Sequence, residues 1–328
     1  MIAGHKVGQL LRRGVSGAGV AFLVLVAAAA PAVAAPPSAR PGHRGGGGTT
    51  PTPLTGNDVS WPQCGSAFPA ASAFGIVDVN GGLANNLNPC IGPSSAYPSY
   101  TESELYWAAA TTTGAATAQP KVSVYVNTAD PSNVSGTTVV GDWPTSGTSP
   151  YGTCTTTEIK IRGTTTTVGE SSPACAWVYG YEKAAQDLTW LSAAATAIDA
   201  QESTTSVSTS PDAYPFWLDV ETTNTWQSGT AGVAMNVADL QGMVSAFEHG
   251  GIASNDLGVY STASQWAQIA GTTTDATVGL YGLSDWIPGA TSLTGARANC
   301  ALAPFTGLTA KVALTQWSGT VDNDHSCL

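Results

Sequence analysis

Tyr214-Pro215-Phe216-Trp217-Leu218-Asp219-Val220-Glu221 is a short apolar run that ends in two carboxylates. Read as a β-strand it alternates faces with period 2, so Trp217, Asp219 and Glu221 point one way and Leu218 and Val220 the other. A solvent-facing strand has no need of Leu218 and Val220 buried behind it. A barrel strand does: its outer face packs under helices, and its last inward residues stand at the rim where such barrels keep their chemistry. The competing reading is a surface segment that carries Asp-x-Glu by chance.

Other segments repeat the pattern. Asn57-Asp58-Val59-Ser60-Trp61 puts Asp58 and Ser60 on one face, and Ala73 to Asn80 ends in Asp78 and Asn80 before Gly81-Gly82 stops it. Pro120 to Asn127 sets Val122, Val124 and Val126 against Ser123, Tyr125 and Asn127. Further strands are expected at Leu257–Ser261, at Val278–Leu283 with Trp286-Ile287, and at Lys311–Trp317, with Val321-Asp322-Asn323-Asp324 closing the chain. Helices are expected from a Thr101/Glu104 capping box to Gly114, over Ala184–Ala200, over Val233–Glu248 and around Gln265–Ile269. Seven or eight strands with interspersed helices predict an α/β fold, a single (β/α) TIM-like barrel with disulfide-stapled loops. Asp58, Asp78, Asn80, Tyr125, Asn127, Asp219, Glu221, Tyr260, Gln316 and Asp322 then gather at one face. The long irregular stretch Thr128–Pro173, with a hairpin arm at Glu158–Gly163, reads as one wall of a cleft.

The flanks set the context. Residues 1–34 read as a signal peptide, with a basic start (His5, Lys6, Arg12, Arg13), an apolar run from Val20 to Ala30 and a small-residue site at Ala32-Val33-Ala34. An uncleaved anchor and a twin-arginine signal are the competing readings. Residues 35–55 form a Pro/Gly/Thr linker, which leaves 56–328 as one domain. Five of the eleven Lys and Arg precede Gly56 and all 22 Asp and Glu follow it, so the domain carries six cations against 22 acids, a net of about −16. That charge argues against nucleic acid or an anionic membrane as a partner; no membrane contact is expected after signal cleavage, and the protein is expected to act as a monomer. Fifteen pairings of six cysteines are possible. Sequential pairing closes local loops: Cys64 with Cys90, Cys154 with Cys175, and Cys300 with Cys327.

Clustered carboxylates at such a rim cannot all ionise, which yields a proton donor at neutral pH and suits glycosidic cleavage. Tyr125, Trp217, Tyr260, Trp286, Asn80, Asn127 and Gln316 offer aromatic faces and hydrogen bonds for a sugar. Only His249 and His325 remain in the domain, and there is no Gly-x-Ser-x-Gly, His-Glu-x-x-His or glycine-rich phosphate loop. No cofactor and no metal are expected, although Asp322-Asn323-Asp324 is a weak Ca²⁺ motif.

In their order, Asp58-Val59-Ser60-Trp61, Phe74-Gly75-Ile76-Val77, Trp217-Leu218-Asp219-Val220-Glu221, Gly258-Val259-Tyr260-Ser261, Trp286-Ile287, Gln316-Trp317 and Val321-Asp322 resemble glycoside hydrolase family 25, the lysozyme-like muramidases. The resemblance implies a flattened (β/α) TIM-like barrel that cleaves the β-1,4 bond after N-acetylmuramic acid in peptidoglycan or a related amino-sugar polymer. By position, Glu221 matches the general acid, Asp219 its partner, Asp58 and Asp322 the other acids, and Tyr260 and Gln316 pocket-lining residues. The chain departs from the family at Asp78-Val79-Asn80-Gly81-Gly82, at Tyr125-Val126-Asn127-Thr128, and where Pro288-Gly289 follows Trp286-Ile287. A catalytically inactive wall-binding protein of the same fold is the alternative, and a disulfide-stapled surface protein with a protein partner is a third.

Overall fold

The computed structural model describes residues 55–328, apart from 71, 82–83, 115–116, 134–141, 162 and 204–206. The expected signal peptide and nearly all of the linker lie outside the described residues. The first strand among the described residues starts at Thr55.

Eight strands close into a barrel whose order around the ring is the order in the chain. They are β1 (Thr55–Val59), β2 (Gly75–Asp78), β3 (Val122–Asn127), β4 (Phe216–Asp219), β5 (Leu257–Tyr260), β6 (Ser284–Ala290), β7 (Val312–Trp317) and β8 (Asn323–Ser326). Among the described residues, five helices lie between strands: α1 (Glu104–Ala110) follows β2, α2 (Pro173–Asp199) follows β3, α3 (Gly229–His249) follows β4, α4 (Ala263–Ile269) follows β5 and α5 (Leu293–Asn299) follows β6. β1 to β7 pair in parallel, whereas β8 runs antiparallel to both β7 and β1. The barrel is therefore mixed rather than all-parallel. The reversal follows from sequence: only Ser318 to Asp322 separate β7 from β8, too short for the crossover a parallel return needs.

Alternation within the strands sorts the core. Outward residues Val59, Val77, Val124, Val126, Phe216, Leu218 and Val259 are buried beneath Leu105 and Trp107 of α1, Leu191 and Ile198 of α2, and Leu240, Val244 and Phe247 of α3. Inward residues Ile76, Trp217, Trp286 and Leu314, with Phe74, form a second cluster inside the ring, and Tyr125 and Tyr260 pack against it. Two inward positions must be glycine: a Cβ on Gly56 would come within 2.2 Å of the Phe74 ring, and one on Gly258 within 2.2 Å of the Trp217 ring. Outside, α2 and α3 meet backbone to backbone, since a Cβ on Gly242 would lie 2.0 Å from the Trp177 carbonyl oxygen.

Several expected elements shift. The capping box is made by Ser99 and Glu102 around the short turn Tyr100–Glu102, and α1 starts afterwards with Ser103 as its cap. Glu104 turns its carboxyl inward instead. The second helix starts at Pro173, not Ala184, and residues 278–283 form turns leading into β6. Described residues of the 128–173 insertion pack on the outer helices: Tyr151 bonds to Gln241 of α3, and with Pro150 and Trp177 it lines an outer cavity of about 400 Å³. The insertion's described residues do not line the pit at the barrel mouth. Among the described residues, no helix is long and apolar enough to cross a membrane.

Three disulfides join Cys64 to Cys90, Cys154 to Cys175 and Cys300 to Cys327, the sequential pairing. The third holds the end of β8, the closing strand. Replacing Cys300 and Cys327 by Ser is expected to lower the unfolding free energy in denaturant titrations by about 3 kcal/mol. A loss below about 1 kcal/mol would mean that the β8 hydrogen bonds hold the ring unaided.

Candidate active site

The carboxyl ends of β1 to β7 surround a pit of about 160 Å³, lined by Asp58, Ser60, Tyr125, Asp219, Glu221, Tyr260, Trp286, Gln316 and Asp322. Asp58 and Ser60 come from β1 and its end, Tyr125 from β3, and Asp219 and Glu221 from β4 and the turn after it. Tyr260, Trp286 and Gln316 come from β5, β6 and β7, and Asp322 from the loop before β8. The floor is aromatic: the Trp286 ring lies edge-on to Tyr125, Tyr260 and Trp217, with centroids 6.2, 4.6 and 5.7 Å away. Charge placed on that floor is poorly solvated.

One hydrogen-bonded chain crosses the pit. The Tyr260 hydroxyl donates to Gln316 Oε1 at 2.9 Å, and Gln316 Nε2 donates to Asp58 Oδ2 at 3.0 Å. Burial, followed by the Asp322 charge, raises Asp58 to about 6. Behind it stands Asp324, wholly buried on β8. Both its oxygens lie outside hydrogen-bond geometry with any neighbour, although Asp58 and Trp286 face it closely enough to alter its proton affinity. Burial and then the Asp58 charge hold Asp324 well above the usual carboxyl range. Asp324 is thus the member that holds its proton more tightly, and Asp58, raised to about 6, is the one that ionises first.

Across the pit, the Asp219 carbonyl accepts from the Thr128 hydroxyl at 2.6 Å, which fixes the end of β4. Its carboxyl is raised well above the usual range by burial, then by Glu221 and Asp58, and its Oδ1 is buried without a partner. Glu221 is half-buried, and its carbonyl accepts from the Trp226 indole at 2.9 Å. Burial raises the Glu221 carboxyl, and a hydrogen bond from Gln265 partly offsets this. Gln265 is itself oriented, because its Oε1 accepts from the Thr222 amide at 2.7 Å. Asp322 is raised by burial.

Of the twelve residues picked from sequence, eight line the pit: Asp58, Asp219, Glu221, Asp322, Tyr125, Tyr260, Trp286 and Gln316. Four do not. Trp217 shares the inward face but sits deeper, and it borders a small cavity with Pro120, Pro215 and Leu328 at the opposite end of the barrel. Asp78 is buried beside the pit, its carboxyl raised by burial and then by Glu104, Asp219 and Asp187. Asn127 Nδ2 donates to Asp78 Oδ1 at 3.1 Å, and the Asn127 amide donates to Asn80 Oδ1 at 2.6 Å. Asn80 Nδ2 also donates to Asp187 of α2 at 3.0 Å. These three side chains tie the ends of β2 and β3 together, because β2 stops at Asp78 and strand alternation no longer applies to Asn80.

Sequence reasoning missed Asp324, Gln265 and the buried acids beneath. Period 2 carried through Asp322 would have marked Asp324, had the closing segment been read as a strand. Glu104 accepts from Asn88 Nδ2 at 2.7 Å and is raised to about 8 by burial. In the Asp322-Asn323-Asp324 segment, Asn323 accepts from Asn57 at 3.2 Å outside the ring while Asp324 points within, so the three form no cage. Among the described residues, Cys64, Cys90 and Glu104 lie close enough to share an ion, but their two sulfurs are bonded to each other.

No protein-family model matches the chain, and no curated protein or solved structure matches it.

The proton affinities fix a sign for stability. Asp58, Asp219 and Asp324 bind protons more tightly folded than unfolded, so the folded state holds the extra protons and stability falls as pH rises from about 4 through about 6, the Asp58 window. The Tm is expected to be lower at pH 7.5 than at pH 5 by roughly 4 °C or more, for a cost on the order of 2 kcal/mol. The double variant Asp58→Asn, Asp324→Asn should make this profile shallower, with Asp219 and the buried acids left to supply the remaining slope; a wild-type Tm that climbs over the same range would contradict the assignment.

Proposed function

We propose that this protein is a secreted glycoside hydrolase acting on peptidoglycan or a related amino-sugar polymer. The observation that carries the reading is that Asp58, Asp219, Glu221 and Asp322, up to 264 positions apart in the chain, line one pit on an aromatic floor. The motif order that resembles glycoside hydrolase family 25 and the helix-covered barrel, read as a flattened (β/α) form whose last strand is reversed, support it further. The signal-like leader, the three disulfides and the acidic domain fit a protein working outside the cell.

In this reading the half-buried Glu221, its proton affinity raised, donates to the glycosidic oxygen as the bond to the anomeric carbon breaks. Asp58 is ionised at neutral pH and faces the positive charge that develops on the sugar ring. Gln316, held by Tyr260, keeps the Asp58 carboxylate aimed. Asp219 presents the unpartnered Oδ1 to the sugar's acetamido group, which supplies the missing hydrogen bond. A water completes the hydrolysis, and the chemistry requires no cofactor.

One observation favours the second reading, a wall-binding protein without turnover. Asp78, Asn80 and Asn127, at strand ends where a substrate would be gripped, are spent on one another. Retention on purified wall by the Asp219→Asn, Glu221→Gln variant, with no reducing ends released by wild type, would select it.

Glu221→Gln is expected to reduce the release of reducing ends from purified cell wall by roughly 10²- to 10⁴-fold while leaving the Tm nearly unchanged. Equal release by wild type and variant would remove the hydrolase assignment.

A further inference from the structure

Of ten tryptophans, all within the described residues, nine are buried or half-buried; Trp61 alone is exposed, at 56%. It follows directly on Ser60, which lines the pit and faces the pit residue Tyr125. Its place beside the pit, rather than its exposure, sets it apart, and covering such an indole is favourable.

The segment that carries it is held firmly. The Ser60 amide donates to Gln63 Oε1 at 2.9 Å, and the Gln63 amide donates to the Ser60 carbonyl at 2.8 Å, which closes the turn Trp61–Gln63 around Pro62. The Cys64 amide donates to the Trp61 carbonyl at 3.0 Å, and Cys64 is tied to Cys90. On one side the indole rests on Gly81: a Cβ there would stand 3.5 Å from its Cδ1 and 3.8 Å from its Nε1. The same point is 3.9 Å from Asp78 Oδ2, behind the pit wall. A floppy surface tryptophan would have none of these restraints. Here the backbone that carries the ring is pinned next to a pit residue, one side of the ring lies on Gly81, and more than half of the residue is open.

The pit, at about 160 Å³, is smaller than the usual range for a whole ligand, so a polymer held there must continue over the rim. We infer that Trp61 is a stacking platform for the sugar ring next to the one held in the pit, and that the site therefore engages a chain rather than a single sugar. This rests on the saccharide reading of the pit. A pyranose ring presents C–H groups that pack on an indole, while its hydroxyls stay hydrated at the open edge. Because the platform is preformed, little ordering accompanies binding.

The test uses the full mature protein in a Glu221→Gln background, so that binding is read without turnover. The probes are a tetrasaccharide released from purified peptidoglycan and a tetramer of N-acetylglucosamine, titrated by calorimetry. Adding Trp61→Ala should weaken binding of at least one probe by about fivefold to tenfold, and Trp61→Phe should restore most of it. With Glu221 intact, Trp61→Ala should raise KM on soluble wall polymer by a similar factor and leave kcat within about twofold. An unchanged Tm guards against a folding defect. Should Trp61→Ala bind both probes within twofold of its parent, or should neither probe bind the parent, the platform is overturned. If wild type binds a probe through Trp61 yet releases no reducing ends, the hydrolase reading fails while the platform stands. Turnover with an unchanged KM in Trp61→Ala would do the reverse, removing the platform and leaving the hydrolase reading in place.

Discussion

The fold depends on how the ring is shut. Seven parallel strands leave two open edges, and β8 fills the gap by running backwards, paired with β7 through Gln316↔Asp324 and with β1 through Gly56↔Asp324. A parallel strand at that place would bring its carboxyl end to the rim. The reversed one brings its first residues there instead, which sets Asp322 at the mouth and Asp324 just inside. One strand thus completes the backbone hydrogen bonding and delivers the last acids of the site.

Closure also creates the electrostatics. Inside the ring, Trp217, Trp286, Tyr125 and Tyr260 occupy the space below the pit, so the carboxyls above them have an apolar floor rather than water. Desolvation is the largest influence on each of Asp58, Asp219, Glu221 and Asp324. Repulsion between neighbours comes second for Asp58, Asp219 and Asp324 and spreads their proton affinities apart. The same floor explains why Gly56 and Gly258 have no side chains: the rings of Phe74 and Trp217 occupy the places that a Cβ would take.

Much of this was legible from alternation. In β3 and β4 the valines and Leu218 turned to the helices, while Tyr125 and Asp219 turned inward, because a strand buried on two sides has no other way to divide its residues. Alternation reports direction and not depth, so Trp217 shares a face with Asp219 yet lies beneath the pit. It also stops where the strand stops, and Asn80, beyond β2, followed its own hydrogen bonds to Asn127 and Asp187. Glu104 resembled a helix cap in sequence because the capping pattern is local, whereas Asn88, which draws the carboxyl inward, is a tertiary partner. Asp324 stayed hidden because a four-residue strand of Asn, Asp, His and Ser has no hydrophobic signature.

The cysteine pairs are nested in no other pair: each sulfur's partner is the next cysteine along, 21 to 27 residues away. A chain that emerges amino end first can therefore oxidise each pair before the next appears, without a wrong bond to undo. Slow reshuffling is avoided by the linear order alone. The final pair must wait for Cys327, so the ring can be locked only after its closing strand has been made.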